Sequence, residues 1–239
     1  MPKDMIPALL GAEEDLSGSA RPEDHPLMRP ADIQHESFRI IEQECGAHGL
    51  SPEAWLVARR VIHSTGDFEF AQLLRFHPGA FMAASEAIAG GEDILTDVEM
   101  VRMGIRGMAQ HRHGLRVRCH LNEPEVRLEA QAKGVTRSAQ GILCGLRRER
   151  VGVCVIGNAP TALRAVIAAC ETSDRLRPRL IIGVPVGFVD AAESKLALSR
   201  TEAVPWITCL GRKGGSAVAA GIVNALLEWA PPRRSVEEP

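Results

Sequence analysis

The sequence predicts a three-layer α/β domain built on a mainly parallel sheet of about five strands flanked by helices. Short apolar runs alternate with helix-patterned stretches between residues 31 and 230. The runs read as continuous Val, Ile and Leu and not as strict alternation, the pattern of strands buried on both faces. Aliphatic residues carry the core, because aromatics make up only 4% of a chain that is 45% hydrophobic, with six Phe, three Trp and no Tyr. A length of 239 residues allows one domain or two small ones.

Taken in order, residues 1–30 carry five of the fifteen prolines and several charges without sustained periodicity. They read as an N-terminal extension with the composition of a disordered segment. A helix follows near Ser37–Cys45, where Phe38, Ile40 and Ile41 supply a buried face. The next begins at Ser51-Pro52-Glu53, an N-cap followed by proline at the first helical position. It runs through Trp55, Leu56 and Val61 towards His63. A third helix spans Pro78–Ala89 and stops at Gly90-Gly91. Five strands are predicted at Ile94–Val98, Leu115–Leu121, Val151–Ile156, Leu180–Pro185 and Trp206–Leu210. Between and after them lie helices at Pro124–Lys133, Ser138–Arg147, Pro160–Thr172, Ala191–Ser199 and Ser216–Trp229. Residues 231–239 form a polar tail after a helix stop. No internal repeat is visible.

Composition excludes several classes of function. Lys+Arg 28 against Asp+Glu 30 leaves a net charge of −2, so no overall basic field attracts a nucleic-acid backbone. The scarcity of aromatics argues against a base-stacking platform, so no nucleic-acid partner is expected. No apolar run reaches the roughly 18 residues of a membrane span, and no membrane partner is expected. The start MPKDMIPALLGAEEDL is too short in its apolar part and too acidic for a secretory signal. The six cysteines (Cys45, Cys119, Cys144, Cys154, Cys170, Cys209) form no C-x-x-C pair, and four lie in apolar runs, as in a reducing compartment. The cytoplasm is the expected location.

The informative region is 151–216. Three strand–loop–helix units follow one another there: VGVCVI-GNAP-TALRAVIAAC, RLIIG-VPVGFVD-AAESKLAL and WITCL-GRKGG-SAVAAGIVNAL. In a parallel sheet these loops leave the carboxyl ends of their strands and gather on the edge where open α/β sheets bind ligands. Each leads into a helix N-terminus with unpaired N–H groups and a partial positive charge. Asn158 and Thr161 offer side-chain hydrogen bonds, and Lys195, Arg212 and Lys213 are expected to place cations at that edge. Such electrostatics suits a ligand with several carboxylates or phosphates. The plainer alternative is that the glycines serve tight turns and the cations are solvated. No loop matches G-x-x-x-x-G-K-[ST] or G-x-G-x-x-G, which disfavours nucleotide hydrolysis and dinucleotide binding.

Outside those loops, His63 sits at the end of an amphipathic helix and is followed by Ser64, Thr65, Gly66 and Asp67. The pattern fits a proton donor or acceptor and equally a C-terminal capping histidine. In Thr136-Arg137-Ser138, Arg137 could hold a carboxylate bidentately while Ser138 caps the next helix. The residues alone read more simply as an ordinary cap beside a solvated arginine. His111-x-His113 invites a metal reading but lacks an acid at ligand spacing, and a solvated loop is the expectation. Cys119-His120 is equally weak. No metal site and no cofactor are expected, and the absence of G-x-S-x-G or H-E-x-x-H removes support for nucleophilic hydrolysis or zinc proteolysis.

Several segments, in order, resemble the precorrin-8X methylmutase family of cobalamin biosynthesis, also called cobalt-precorrin-8 methylmutase. They are SFRIIEQE (37–44), RRVIHSTGDFEFA (59–71), ILTDVEMVRMGI (94–105), TRSAQGI (136–142), VIGNAPTAL (155–163), VPVGFVDAAESK (184–195) and GRKGGSAVAAGIVNAL (211–226). The resemblance runs from about Ile33 to Leu227 and implies an isomerase that moves a methyl group from C-11 to C-12 of a ring-contracted tetrapyrrole. Hydrogenobyrinic acid is the implied product, or cobyrinic acid when cobalt is already inserted. By similarity His63 is the proton donor or acceptor, and Ser37 and Arg137 position the substrate and His63. The resemblance further implies a homodimer with each site near the subunit interface, and hand-over of the tetrapyrrole to neighbouring corrin-pathway enzymes. The wording of HSTGDF and GRKGGS is closer to the cobalt-first branch. The N-terminal extension departs from the family's usual compact start. Two competing classes are a non-catalytic tetrapyrrole-binding protein and an α/β transferase for another polyanionic small molecule.

Overall fold

The structure is a computed structural model that describes residues 29–105, 107 and 113–231. The described chain divides into a first unit ending at Glu36 and a second running from Ser37 onwards. In the first, Arg29 pairs with Asp32 at 2.9 Å in the opening turn of helix α1 (Pro30–Cys45). This helix starts seven residues earlier than the hydrophobic pattern suggested. Proline suits a first helical turn and an acid suits its positive end, so polar signals extend it beyond its apolar face.

The second unit holds a six-stranded sheet in the order β1-β6-β5-β4-β2-β3. The strands are β1 (Leu74–Phe76), β2 (Asp93–Thr96), β3 (Val117–Arg118), β4 (Val151–Ile156), β5 (Leu180–Gly183) and β6 (Trp206–Cys209). Strands β2 to β6 run parallel; β1 pairs antiparallel with β6 through Arg75 and Thr208. The sheet therefore has one strand more than expected. Three residues following a one-turn helix, α3 (Phe70–Leu73), carry too little pattern to stand out. Strand β3 shrinks from the expected seven residues to two, because it is an edge strand with a single neighbour.

Strand side chains alternate between the two faces. Val153, Val155, Leu180 and Ile182 join one buried cluster, whereas Cys154, Ile156 and Ile181 join the other. The first face is covered by α2 (Pro52–Thr65), α4 (Ala80–Ala89) and α10 (Ser216–Trp229), and the second by α7 (Arg137–Arg148), α8 (Pro160–Thr172) and α9 (Ala191–Leu198). Helices α5 (Glu99–Gly104) and α6 (Pro124–Lys133) complete the set used below. Each fully buried Leu or Ile stabilises the fold by about 1.5–3 kcal/mol relative to exposure. The expected three-layer architecture is present. All six cysteines are free, and Cys144, Cys154, Cys170 and Cys209 are buried.

Helix α2 begins and ends as its sequence signals. Ser51 Oγ accepts from the Ala54 N–H, and Gly66, at φ 67°, closes the helix by donating its N–H to the Ile62 carbonyl. Helix α10 packs antiparallel to α2. At Gly221 a Cβ would lie 3.1 Å from Ser64 Oγ, so the two helices approach closely there and a larger residue would make the Ser64 side chain shift. Arg60, buried on α2, pairs with Glu228 of α10. Among the described residues, no helix is long and apolar enough to cross a membrane.

Candidate active site

The order of the sheet places a topological switch between β2 and β4. The chain leaves β2 outward to β3 and returns to β4 on the other side of β2. Ligands of open α/β sheets bind in the crevice at such a point. Here the crevice holds a buried carboxylate. Asp97, the first residue after β2, accepts from the N–H groups of Gly157 (3.0 Å), Asn158 (2.8 Å) and Ala159 (2.8 Å). Burial pushes its pKa up, while those three hydrogen bonds pull it back. Asp97 therefore occupies the backbone donors of the first glycine loop, which the sequence suggested were open to a ligand anion. An acid at the end of an apolar strand was the available signal, and it lies inside the 94–105 segment.

The other two loops interlock. The Gly215 N–H donates to the Val184 carbonyl at 2.8 Å, and the Gly187 N–H donates to the Arg212 carbonyl at 3.2 Å. Gly214 adopts φ 153°, and a Cβ there would sit 2.3 Å from the Val184 oxygen. The GNAP loop joins the same assembly, since a Cβ on Gly157 would lie 2.8 Å from Ala219 Cβ and 3.2 Å from Ser216 Cα on α10. Three loops thus meet at the N-terminus of α10.

The expected cations behave differently from one another. Lys195 is fully buried, so the expectation that it offers its charge to a ligand does not hold in this fold. It shares the inner face of α9 with Ala191, Ser194 and Leu198, at helical spacing. Its Nζ donates to the Lys213 carbonyl and lies 3.7 Å from Cys209 Sγ. Burial lowers the Lys195 pKa, and Cys209 opposes that shift. Lys213 pairs with Asp67 at 2.6 Å and Glu69 at 3.1 Å, acids of the loop that follows His63. Arg212 is exposed and lies 5.6 Å over the ring of Phe188, itself 84% exposed at the tip of the loop after β5.

His63 lies exposed in the last turn of α2, three residues before the Gly66 cap. Its ring meets Phe38 edge-on with centroids 5.3 Å apart, and the guanidinium groups of Arg59 and Arg60 lie 4.4 and 5.3 Å from the centre of the Phe38 ring. Partial burial lowers the His63 pKa below its ordinary 6.5, and the charge of Arg60 lowers it further. Ser37 is half-buried beside Phe38 on α1. From sequence Phe38 was read only as part of an apolar helix face and Asp67 only as the acid after His63, and Arg60 and Glu69 were given no role; charge pairing across more than a hundred residues has no local signature.

A second group forms around α8. Thr136 caps α7, accepting from the Ala139 N–H at 3.2 Å, and its hydroxyl lies 2.7 Å from that of Thr161. Arg137, the first residue of α7, is exposed and makes no hydrogen bond or ion pair among the described residues, with Ser138 half-buried behind it. Asn158 is exposed between Asp97 and Pro160. The T-R-S and GNAP segments are thus brought together, and Lys213 links the His63 segment to the GRKGG loop.

Two further histidines, His113 and His120, are held inside the fold. His113, expected in a solvated loop, is buried, with its Nε2 2.8 Å from the Leu227 carbonyl of α10. His111 lies outside the described residues. His120 is buried between Glu123 and Glu149, at 2.5 and 3.2 Å. No group of three His, Cys, Asp or Glu suited to a metal ion occurs among the described residues. A cavity of about 270 Å³ opens at the opposite edge of the sheet, lined by Arg150, Arg175, Arg177 and Arg179. Three of them serve structure: Arg150 and Arg179 both pair with the buried Glu92, and Arg177 pairs with Asp174.

Comparisons with known proteins agree on a single family. The family model described as CbiC, precorrin-8X methylmutase, matches residues 32–229. The cobalt-precorrin-8 methylmutase of Priestia megaterium is 38% identical over 207 residues, covering 86% of this chain and 91% of that one. The precorrin-8X methylmutase of Pseudomonas aeruginosa is 41% identical over 195 residues, covering 81% and 93%. A solved precorrin-8X methylmutase from Thermus thermophilus superposes with a TM-score of 0.76 at 40% identity, covering 83% of this chain and 95% of that one. By family model, relatives and fold alike, the chain belongs to the precorrin-8X methylmutase family.

Proposed function

We propose that this chain moves a methyl group from C-11 to C-12 of precorrin-8X or cobalt-precorrin-8, with His63 controlling the proton on the macrocycle. The observation that carries the reading is an exposed imidazole with a depressed pKa, fixed at a helix end that is tied to the loop edge. Near neutral pH such a ring is uncharged, with one nitrogen a donor and the other an acceptor. It can donate to one pyrrole nitrogen or accept from it, which selects the tautomer competent for the shift. The migration is intramolecular, so neither a redox partner nor a nucleotide enters. Any cobalt travels as part of the substrate.

Recognition of the polycarboxylate falls in this reading to exposed polar groups: Arg137, Arg212, Asn158, Ser138 and the Thr136–Thr161 pair, with Ser37 near the histidine. The aliphatic composition suits the methyl-bearing faces of a corrinoid held by its rim. A homodimer in the cytoplasm, passing its product to a neighbouring pathway enzyme, belongs to the same reading.

The test is to incubate purified protein with each substrate and follow the tetrapyrrole absorption. Wild type is expected to isomerise one of them, and His63→Ala to lose about 10²–10⁴-fold in turnover while still binding product. Failure to turn over either substrate or to bind either product would refute the proposal. Product binding by a wild type that is inactive on both substrates would favour a carrier.

A further inference from the structure

The helix that carries His63 is joined to the loop after β6 by a chain of contacts that ends on one side chain. Behind the latch, the fully buried Lys195 holds the Lys213 backbone through its carbonyl. In front, Lys213 Nζ bridges Asp67 at 2.6 Å and Glu69 at 3.1 Å. The acids sit in a turn closed within itself, with the Glu69 N–H donating to Asp67 Oδ1 at 3.0 Å and the Asp67 N–H donating to Thr65 Oγ1 at 3.3 Å. Moving along α2 towards this turn, Arg60 pairs with Glu228, Ser64 lies against Gly221, and the turn meets Lys213. The first two contacts fix the body of α2 on α10. The third acts on the turn that ends the helix, where Phe68 and Phe70 also pack into the core.

We propose that Lys213 is a positioning residue: by bridging Asp67 and Glu69 it holds the last turn of α2, and with it the His63 imidazole, in register with the loop edge. This inference rests on the methylmutase reading and deepens it. It gives Lys213 a different task from the direct grip on a substrate carboxylate that its sequence suggested. Each partner stabilises the charged form of the other, since Lys213 lowers the Asp67 pKa and the two acids raise that of Lys213. An exposed ion pair adds little to global stability, so the consequence is local. A displacement of about 1 Å at a catalytic group costs on the order of 10²-fold in rate.

Three variants test the latch: Lys213→Met, the double change Asp67→Asn with Glu69→Gln, and the charge swap Lys213→Asp with Asp67→Lys. The first two are expected to lose about 10-fold or more in kcat with KM held within about 3-fold, and the swap to recover most of that loss. Amide hydrogen exchange at residues 66–70 is expected to quicken about 10-fold in both latch-breaking variants and to slow again in the swap. A rise in KM confined to Lys213→Met, with the acid variant unchanged, would overturn the proposal and return Lys213 to the substrate. Unchanged exchange in the acid variant would also overturn it. If Lys213→Met does not fold, the acid variant decides alone, because it leaves the lysine and its carbonyl contact intact. Wild-type protein inactive on both substrates would sink the methylmutase reading, whereas the exchange measurement would still decide the latch.

Discussion

Replacing Asp97 separates what the buried carboxylate does as a charge from what it does as an anchor. Its two oxygens accept three N–H groups of the loop after β4, and those of Gly157 and Ala159 belong to buried residues while Asn158 is exposed. Asp97→Ala leaves two donors buried without partners, each worth about 1–3 kcal/mol, while water reaches the third. Removing the charge recovers part of its desolvation cost, which is the largest influence on its pKa. The balance is a loss of about 2–4 kcal/mol for Asp97→Ala. Asp97→Asn removes the charge as well but keeps an oxygen for Asn158 and Ala159, and its amide faces the Gly157 N–H; about 1 kcal/mol is expected. Urea unfolding of both variants measures the difference, with unchanged slopes confirming that the same surface is exposed. An Ala variant no less stable than the Asn variant would show that Asp97 does not anchor the loop, and the argument would fail.

Three further outcomes follow from the site. The His63 imidazole, followed by NMR, should titrate below 6.5, and Arg60→Met should move it upward by removing the second cause of the shift. Because the folded pKa is depressed, the stability linked to His63 is present above about 6.5 and is lost as pH falls through the folded value; a midpoint above 6.5 would contradict the geometry. Gly214→Ala should drive a Cβ into the Val184 carbonyl from a φ of 153°, costing about 1–3 kcal/mol of strain, and should abolish product binding while circular dichroism stays native. Arg137→Ala should leave the unfolding midpoint in place and weaken product binding by about 10-fold or more, as expected for the loss of a charge-assisted bidentate contact. Unchanged product affinity would remove Arg137 from the site.

The repeated strand–loop–helix units were legible because each signal is local. Pro160, Pro124 and Ser51-Pro52 mark helix starts, and Gly66, Gly90 and Gly134 mark helix ends, each within a few residues of its cause. Strand β1 was not legible, because its pairing with β6 is made across more than 130 residues by a three-residue segment. The same distinction divides the site. A cap before α7 could be read from the local sequence, although it falls on Thr136 and not on the expected Ser138, whereas the Thr136 hydroxyl contact with Thr161 could not. Lys195 was misplaced for a different reason. Helical spacing puts it in line with Ala191, Ser194 and Leu198, but a lysine in such a row reads as a solvated residue until its carbonyl partner on another loop is known.

The fate of the cations follows their chemistry. A lysine ammonium is a compact point charge that can serve one backbone carbonyl or two acids from different loop positions, and the structure uses Lys195 and Lys213 in those two ways. A guanidinium is planar, more weakly hydrated and shaped for a carboxylate fork, and the arginines at this edge, Arg137 and Arg212, remain exposed. The lysines therefore contribute rigidity and the arginines present surface. For a migration within one bound molecule that division is physically sensible, since the protein must hold one tautomer and one face of a macrocycle still. Preorganised loops reduce the ordering that binding would otherwise require, and Asp97 achieves the same for the GNAP loop by occupying amides that a ligand would otherwise have to organise. The edge that looked from sequence like a uniform anion trap is a braced frame, with Arg137 and Arg212 exposed at its rim.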